Sequence, residues 1–468
     1  MNKKNIAFVT LFESAFTFAQ VSIELAENID SFFIVPTKQN KKELNSFGIF
    51  DDRILDLSIT RDQFKKGFYN DKVKKTLAFF EDSRLPILSI IAASRMCNKE
   101  SLDELEIYMA QVLYKIDDFL KRHNIDLVIT EPSDIVQLLT QLVCWKRGIY
   151  FGQISLARYP SNRIILIKDC TEGEFYTFAK PNKFDINDIK LWLKKFRGEN
   201  MRPAYFSKIT NYRSLFSLAV SFGKRFPKIL KELTGFSELN DLRTKTLLTK
   251  YLYDLSRKYF KVNNASIVDE KTIKFRKYVV YFLHVQPERS IDVMSPNYIN
   301  QIEIIKQLRR SLPWNIDLLV KDHPASDGAQ SFHFYADLEK IHGVRLISSQ
   351  VDSRVISTNS FAVATVSGTV AYEMALLNKP AIMFSKIFFS ELPSIYLYKT
   401  PDLLSDHFRK LLTSDGIHYE RNDIKILNYL KNLHKNSVVS DWDGYYGLVQ
   451  SKTLLSIAEL IRMVKLTK

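Results

Sequence analysis

The chain is poor in cysteine. Three occur in 468 residues, Cys97, Cys144 and Cys170, far apart and without a C-x-x-C pair. So sparse and odd a set excludes a disulfide framework and a cysteine-built zinc knot, and it fits a reducing compartment. Glycine and proline are scarce too, 14 of each, which excludes fibrous and long low-complexity segments. No window approaches the roughly 18 uncharged apolar residues of a membrane-crossing helix. The opening "MNKKNIAFVTLFESAFTFAQ" imitates a secretion signal, but Glu13 interrupts its apolar run, so it reads as a first strand entering a helix. Several motifs are missing: G-x-G-x-x-G, the P-loop, H-E-x-x-H, an aspartate-rich calcium loop, and D-x-D in the setting of a metal–nucleotide site. Their absence disfavours dinucleotide, P-loop and metal chemistry, and no resident metal or cofactor is expected. "SGT" at 367–369 lacks the flanking glycines of a nucleophile elbow.

What is present is a well-packed globular composition, 46% hydrophobic and 13% aromatic, in a chain long enough for two or three domains. Short apolar runs alternate with helical patterns. "NIAFVTLF", "SFFIVP", "IDLVIT" and "IYFGQIS" read as strands in the first part; "YVVYFLHV", "IDLLV", "VRLIS", "FAVATV" and "AIMF" read as strands in the second. Helices are predicted over 16–26, 135–145, 298–310 and 369–377, and again near the end over 402–412, 423–433 and 447–464. Strands separated by helices imply parallel sheets covered on both faces. The expected fold is α/β, with two Rossmann-like doubly wound domains facing a cleft and a helical basic connector. The boundaries are 1–185, 186–270 for the connector, 271–440, and 441–468 for a last helix.

The net charge of +15 is concentrated. Residues 194–261 hold 16 Lys and Arg against 5 Asp and Glu, interleaved with apolar residues at helical spacing, as in "SLFSLAVSFGKRFPKILKEL". A basic amphipathic stretch can lie on an anionic membrane at about 1 kcal/mol per well-placed cation. A solvated helical linker is the plainer explanation. A nucleic-acid partner is not expected, because no recognition motif accompanies the charge. The expected location is the cytoplasm, with contact at the inner membrane through 194–261.

In open α/β sheets ligands bind beyond the carboxyl ends of the strands, so the residues placed there matter most. After "YVVYFLHV" stand Gln286, Pro287 and Glu288; after "IDLLV" stand Lys321, Asp322, His323 and Pro324; after "FAVATV" stand Ser367, Gly368 and Thr369. The last triplet opens a helix carrying Glu373. Ser367 and Thr369 are candidate caps, and the helix start is a candidate phosphate site. Lys321 and His323 are candidates to hold a diphosphate or a sugar carboxylate, with His323 a candidate general acid. Glu288 is a candidate nucleophile, base or hydroxyl anchor. In the first half, "LVITEPSD" places Glu131 past a strand as a candidate base, with Ser133 and Asp134 as caps. Arg158 and Arg163 flank "YPSN" and are candidates to hold an anionic sugar. Each of these has an ordinary structural explanation: a turn, a cap or a solvated charge.

"LHVQPE", a helix of the type "NQIEIIKQLRRSLP", "LLVKDHP" and "VSGTVAYEMALLNKPAIMF", in that order, resemble the capsule polysaccharide biosynthesis family of bacterial surface-glycan gene clusters, a relative of the Kdo transferases. The resemblance spans about 279–385, is faint before it, and is not visible over 186–270. Relatives often carry Thr-Gly-Thr and a second small residue where this chain has Ser367-Gly368-Thr369 and Ala371, and Asp322 stands where Glu is common. The resemblance implies a GT-B-like glycosyltransferase, with a nucleotide sugar such as a CMP-activated 3-deoxy-ulosonic acid on the second domain and a glycan or lipid-linked acceptor on the first. It implies that Ser367, Gly368 and Thr369 cradle the donor phosphate beside Lys321 and His323, with Gln286 and Glu373 at the same donor site. Glu288, with Asp292 as its rival, supplies the acidic group. A nucleotide-sugar 2-epimerase and a non-catalytic assembly factor are the alternatives.

Overall fold

The structure, a computed structural model, describes residues 3–11, 13–58, 70–93, 101–131, 135–178, 184–199, 277–286, 288–323, 332–347, 351–413, 422–444 and 446–464. Most of the basic segment 194–261 lies outside these residues, as do Cys97, Ser133, Asp134, Pro287 and Pro324. The described residues form two compact units, one drawn from residues up to 182 and from 436 onward, the other from 183 to 435.

The first unit is built on a seven-stranded sheet: β1 (Lys4–Val9), β2 (Ile29–Val35), β3 (Ile54–Asp56), β4 (Leu127–Thr130), β5 (Tyr150–Leu156), β6 (Arg163–Ile167) and β13 (Val438–Val439), in the order β13-β6-β5-β4-β1-β2-β3. Pairing is parallel from β3 through β5, and antiparallel between β5 and β6 and between β6 and β13. Alternation along the strands divides the apolar residues between two faces. Phe8 and Phe33 stack at 5.5 Å on one face, where Phe18 of the helix Ser14–Leu25 lies 5.1 Å from Phe8. Phe32 meets Phe119 of the helix Leu102–Arg122 on the other. That helix begins at a capping box, Ser101 with Glu104, the S-x-x-E arrangement that satisfies two terminal N–H groups reciprocally.

The second unit has a six-stranded, fully parallel sheet: β7 (Tyr278–Phe282), β8 (Asp317–Lys321), β9 (Val344–Ile347), β10 (Ala362–Thr365), β11 (Ala381–Met383) and β12 (Ile395–Leu397), in the order β12-β11-β10-β7-β8-β9. Val279, Tyr281, Leu318 and Val320 pack with Ile304, Ile305 and Leu308 of the helix Gln301–Ser311 and with Leu404 and Phe408 of the helix Pro401–Thr413. Two doubly wound α/β units are thus present, each built on a mainly or wholly parallel sheet.

Three findings refine the sequence expectations. The short strands β3, β6, β12 and β13 have no counterpart among the predicted runs. The helix Ile186–Gly198, placed in the connector by sequence, packs within the second unit, where Arg197 donates to Asp423 at 2.9 Å and to the Leu376 carbonyl at 2.9 Å. The last segment is more than a free helix: β13 pairs with β6, and the helix Ser451–Arg462 lies on the helix Ser14–Leu25, burying Leu454, Ile457 and Ile461 in the first unit's core.

Candidate active site

In the second unit the chain runs outward from β7 through β8 to β9, then returns to β10 on the other side of β7. Strand order therefore switches between β7 and β10, and the crevice at that point is where parallel sheets of this kind bind ligands. The ends of β10, β7 and β8 lie side by side, and the three sequence motifs meet on this edge.

At the end of β7, Gln301 is the organising residue. Its side chain is 2% exposed, its Oε1 accepts the His284 N–H at 2.8 Å, and its Nε2 donates to the His284 carbonyl at 3.0 Å and to Gln286 Oε1 at 2.8 Å. Gln286 in turn donates to the Ile299 carbonyl at 3.0 Å and to Asp292 Oδ1 at 3.3 Å. Asp292 Oδ2 accepts the Glu288 N–H at 2.7 Å. Gln286 and Asp292 are therefore built into the turn itself. Glu288 is exposed, begins the short helix Arg289–Asp292, and accepts the Ser290 hydroxyl on Oε2 at 2.7 Å. Of the two rival acids, Glu288 is the one presented to solvent.

At the end of β8, Lys321 is fully buried although it is a lysine. Asp322, 4% exposed, accepts the Tyr335 hydroxyl on Oδ2 and the His323 N–H on Oδ1 at 2.9 Å. Burial, reinforced by the Lys321 charge, lowers the His323 pKa from 6.5 to about 4. His323 is thus neutral at pH 7 and offers a ring hydrogen bond there. His407, stacked on Tyr396 at 4.2 Å, is likewise lowered to about 4, by burial and then by Lys410. The unfolded chain protonates both imidazoles first. Stability gained by keeping them neutral is complete above about pH 6.5 and is lost as pH falls toward 4. Melting temperature should drop across that window, and His323→Gln or His407→Phe should each remove on the order of 2 kcal/mol of the drop. Superimposable profiles for wild type and both variants would refute this assignment.

At the end of β10, Gly368 starts the helix Thr369–Leu376 with no side-chain cap. Ser367 and Thr369 are therefore not the caps expected. The Ser367 hydroxyl donates instead to the Ser290 carbonyl at 2.6 Å, and the Ser367 N–H to His284 Nε2 at 3.3 Å. Gly368 donates its N–H to Thr365 Oγ1 at 3.1 Å, and a Cβ at Gly368 would stand 2.5 Å from that same oxygen, so a larger residue there would have to displace the Thr365 hydroxyl. Glu373 lies half-buried one turn further along the helix. Glu288, Ser367 and Gly368 are thus joined by hydrogen bonds, while Lys321 and His323 sit one strand away, where Leu283 donates its N–H to the Lys321 carbonyl at 3.0 Å.

His284, Gln301 and Thr365 escaped the sequence analysis. His284 falls inside the apolar run "YFLHV", and Gln301 opens an amphipathic helix, where polar residues are ordinary.

The first unit has its own switch point, between β1 and β4. There Glu131, 9% exposed, accepts the hydroxyl of Ser14, the first residue of the helix after β1. Arg158 and Arg163 have other partners than a sugar: Arg158 donates to Glu172 at 2.6 Å and Arg163 to Ser437 Oγ at 3.1 Å.

Residues 234–392 match the family model described as capsule polysaccharide biosynthesis protein. The matched segment is 159 of the 468 residues. It carries β7 to β11 and every residue of the site in the second unit, and it begins inside the basic stretch, where the sequence showed no resemblance. No curated protein matches the chain. Among solved structures, a Staphylococcus aureus MnaA–UDP co-structure covers 99% of this chain and 98% of its own, at 11% identity and TM-score 0.28. UDP-GlcNAc 2-epimerase from Neisseria meningitidis bound to UDP-GlcNAc covers 98% and 99%, at 14% identity and TM-score 0.29. KpsC, a beta Kdo 2,7 transferase of Thermosulfurimonas dismutans, covers 66% and 87%, at 13% identity and TM-score 0.30. Among the described residues no helix is long and apolar enough to cross a membrane, and no cluster of His, Cys, Asp and Glu is placed to hold a metal ion.

Proposed function

We propose that the chain is a GT-B-type glycosyltransferase of bacterial surface-polysaccharide assembly, which takes a sugar from a nucleotide donor, such as a CMP-activated Kdo-like acid, to a glycan or lipid-linked acceptor. The observation that carries this reading is the meeting, at the switch point of the family-matched segment, of the solvent-facing Glu288 carboxylate with the N-terminus of the helix Thr369–Leu376. In the reaction the bond from the anomeric carbon to the phosphate oxygen breaks, and the nucleoside monophosphate leaves with the electron pair. The helix N-terminus, and Lys321 on the adjoining strand, favour that anion. Glu288 faces the cationic sugar carbon or takes the proton of the incoming hydroxyl. Gln286, Ser367 and Asp292 hold the turns that place these groups, and Glu131 in the first unit serves the acceptor. The basic stretch 194–261 would keep the enzyme at the inner membrane beside a lipid-linked acceptor.

The test is the melting temperature of the purified protein with CMP, CTP, UDP, GDP and ADP. A rise of several degrees with CMP or CTP, and little with the others, is the expected result. Preference for UDP overturns the donor assignment, and a flat response to all five overturns the transferase reading in favour of a scaffold.

A further inference from the structure

Between the Glu288 turn and the helix N-terminus stands His284, 8% exposed, and its hydrogen bonds fix its chemical state. Ser367 N–H can only donate, so His284 Nε2, 3.3 Å away, presents a lone pair. Facing that lone pair over 3.0 Å, the Thr365 hydroxyl must donate to it, while its oxygen accepts the Gly368 N–H. A neutral ring whose Nε2 accepts must carry its proton on Nδ1, and Nδ1 faces Ser290 Oγ at 3.4 Å, a long bond. Ser290 passes its own proton toward Glu288 Oε2 at 2.7 Å. Every donor thus points one way: Gly368 N–H to Thr365, Thr365 O–H to His284, His284 N–H to Ser290, Ser290 O–H to the Glu288 carboxylate. A second link closes the circuit, since the Ser367 hydroxyl donates to the Ser290 carbonyl at 2.6 Å.

We propose that His284, in its Nδ1-protonated neutral form, is a positioning residue that ties the turn after β10 to the carboxylate turn after β7, so that one imidazole sets both the start of the helix Thr369–Leu376 and the aim of Glu288. This rests on the transferase reading above. The ring touches neither donor nor acceptor; its two nitrogens serve the two halves of the site separately. Nε2 holds the Ser367–Gly368 turn, and Nδ1 holds Ser290 and through it Glu288.

That division gives the test. In His284→Gln the side-chain oxygen takes the place of Nε2, and in His284→Asn the side-chain nitrogen takes the place of Nδ1. Kd for CMP is read by calorimetry, and turnover as CMP release from a CMP-activated 3-deoxy-ulosonic acid at saturation. His284→Gln should bind CMP within about threefold of wild type and lose about tenfold or more in turnover. His284→Asn should show the reverse, with Kd weakened about tenfold and saturated turnover within about threefold. Two variants that lose the same property overturn the inference, as do two that lose neither. Wild-type protein that binds no CMP or other nucleotide overturns the transferase reading instead. Nitrogen-15 NMR of the wild-type ring needs no variant to fold: Nδ1 protonated and Nε2 bare at neutral pH is expected, and a proton on Nε2 refutes the tie.

Discussion

Glu288→Gln should lower turnover by about a thousandfold, in the middle of the range for a lost acid–base or nucleophilic carboxylate, while CMP affinity stays within a few-fold of wild type. The exchange is nearly isosteric, the side chain is exposed, and its one described partner, Ser290, can hydrogen-bond an amide as well. Folding should therefore be spared. Asp292→Asn should behave differently. Asp292 is 9% exposed and its oxygens accept from Gln286 and from the Glu288 backbone, so its loss should loosen the turn and lower stability along with activity. Single-turnover transfer measured beside thermal melts separates the two variants. Full turnover in Glu288→Gln, with activity abolished in a stably folded Asp292→Asn, would transfer the catalytic role to Asp292.

The largest effect on stability is expected in the first unit, at the end of β5. Glu172 is 1% exposed and binds the Arg158 guanidinium at 2.6 Å, with Gln153 and Ser155 donating to its other oxygen at 3.2 and 3.4 Å. Arg158 and Glu172 both have positive φ, 64° and 58°, so each occupies a backbone region that side chains disfavour and that surrounding bonds must enforce. Glu172→Ala removes the anion and leaves a mostly buried guanidinium without it. Breaking such a pair from one side costs about 3–5 kcal/mol. In a unit of this size that is a fall in melting temperature of roughly 6–20 °C. The double change Arg158→Met with Glu172→Leu should recover much of the loss, because the penalty arises from the stranded charge. A Glu172→Ala protein within about 0.5 kcal/mol of wild type, a margin ordinary for surface substitutions, would show that the pair is dispensable.

Much of this architecture is legible in the chain because buried parallel strands are short unbroken apolar runs, and those of β1, β2, β4, β5, β7, β8, β9, β10 and β11 stand out between helical patterns. The edge strands do not. β12, Ile395–Leu397, is half-buried along its length, and β13 is two residues long, so neither leaves a run to read. The strand-end rule located Glu288, Lys321, His323 and Gly368 because loops beyond parallel strands carry the polar residues that need them. It missed their supports for a physical reason. A buried imidazole or amide that exists to hold a turn is placed where apolar residues are expected, and only the bonds to distant segments, 81 residues away for His284 and Thr365, give it meaning. Nor does local sequence disclose that Lys321 is buried and His323 neutral, since burial belongs to the packed unit.

The antiparallel pairing of β13 with β6 carries a consequence for biogenesis. Strand β6 waits for a partner that follows it by more than 270 residues, and the helix Ser14–Leu25 waits more than 420 for the helix that covers it. On the ribosome the middle of the polypeptide can settle into its six-stranded sheet while the beginning still displays an unfinished edge and an uncovered apolar face. Synthesis order and maturation order are thereby inverted: the portion made first is the portion completed last.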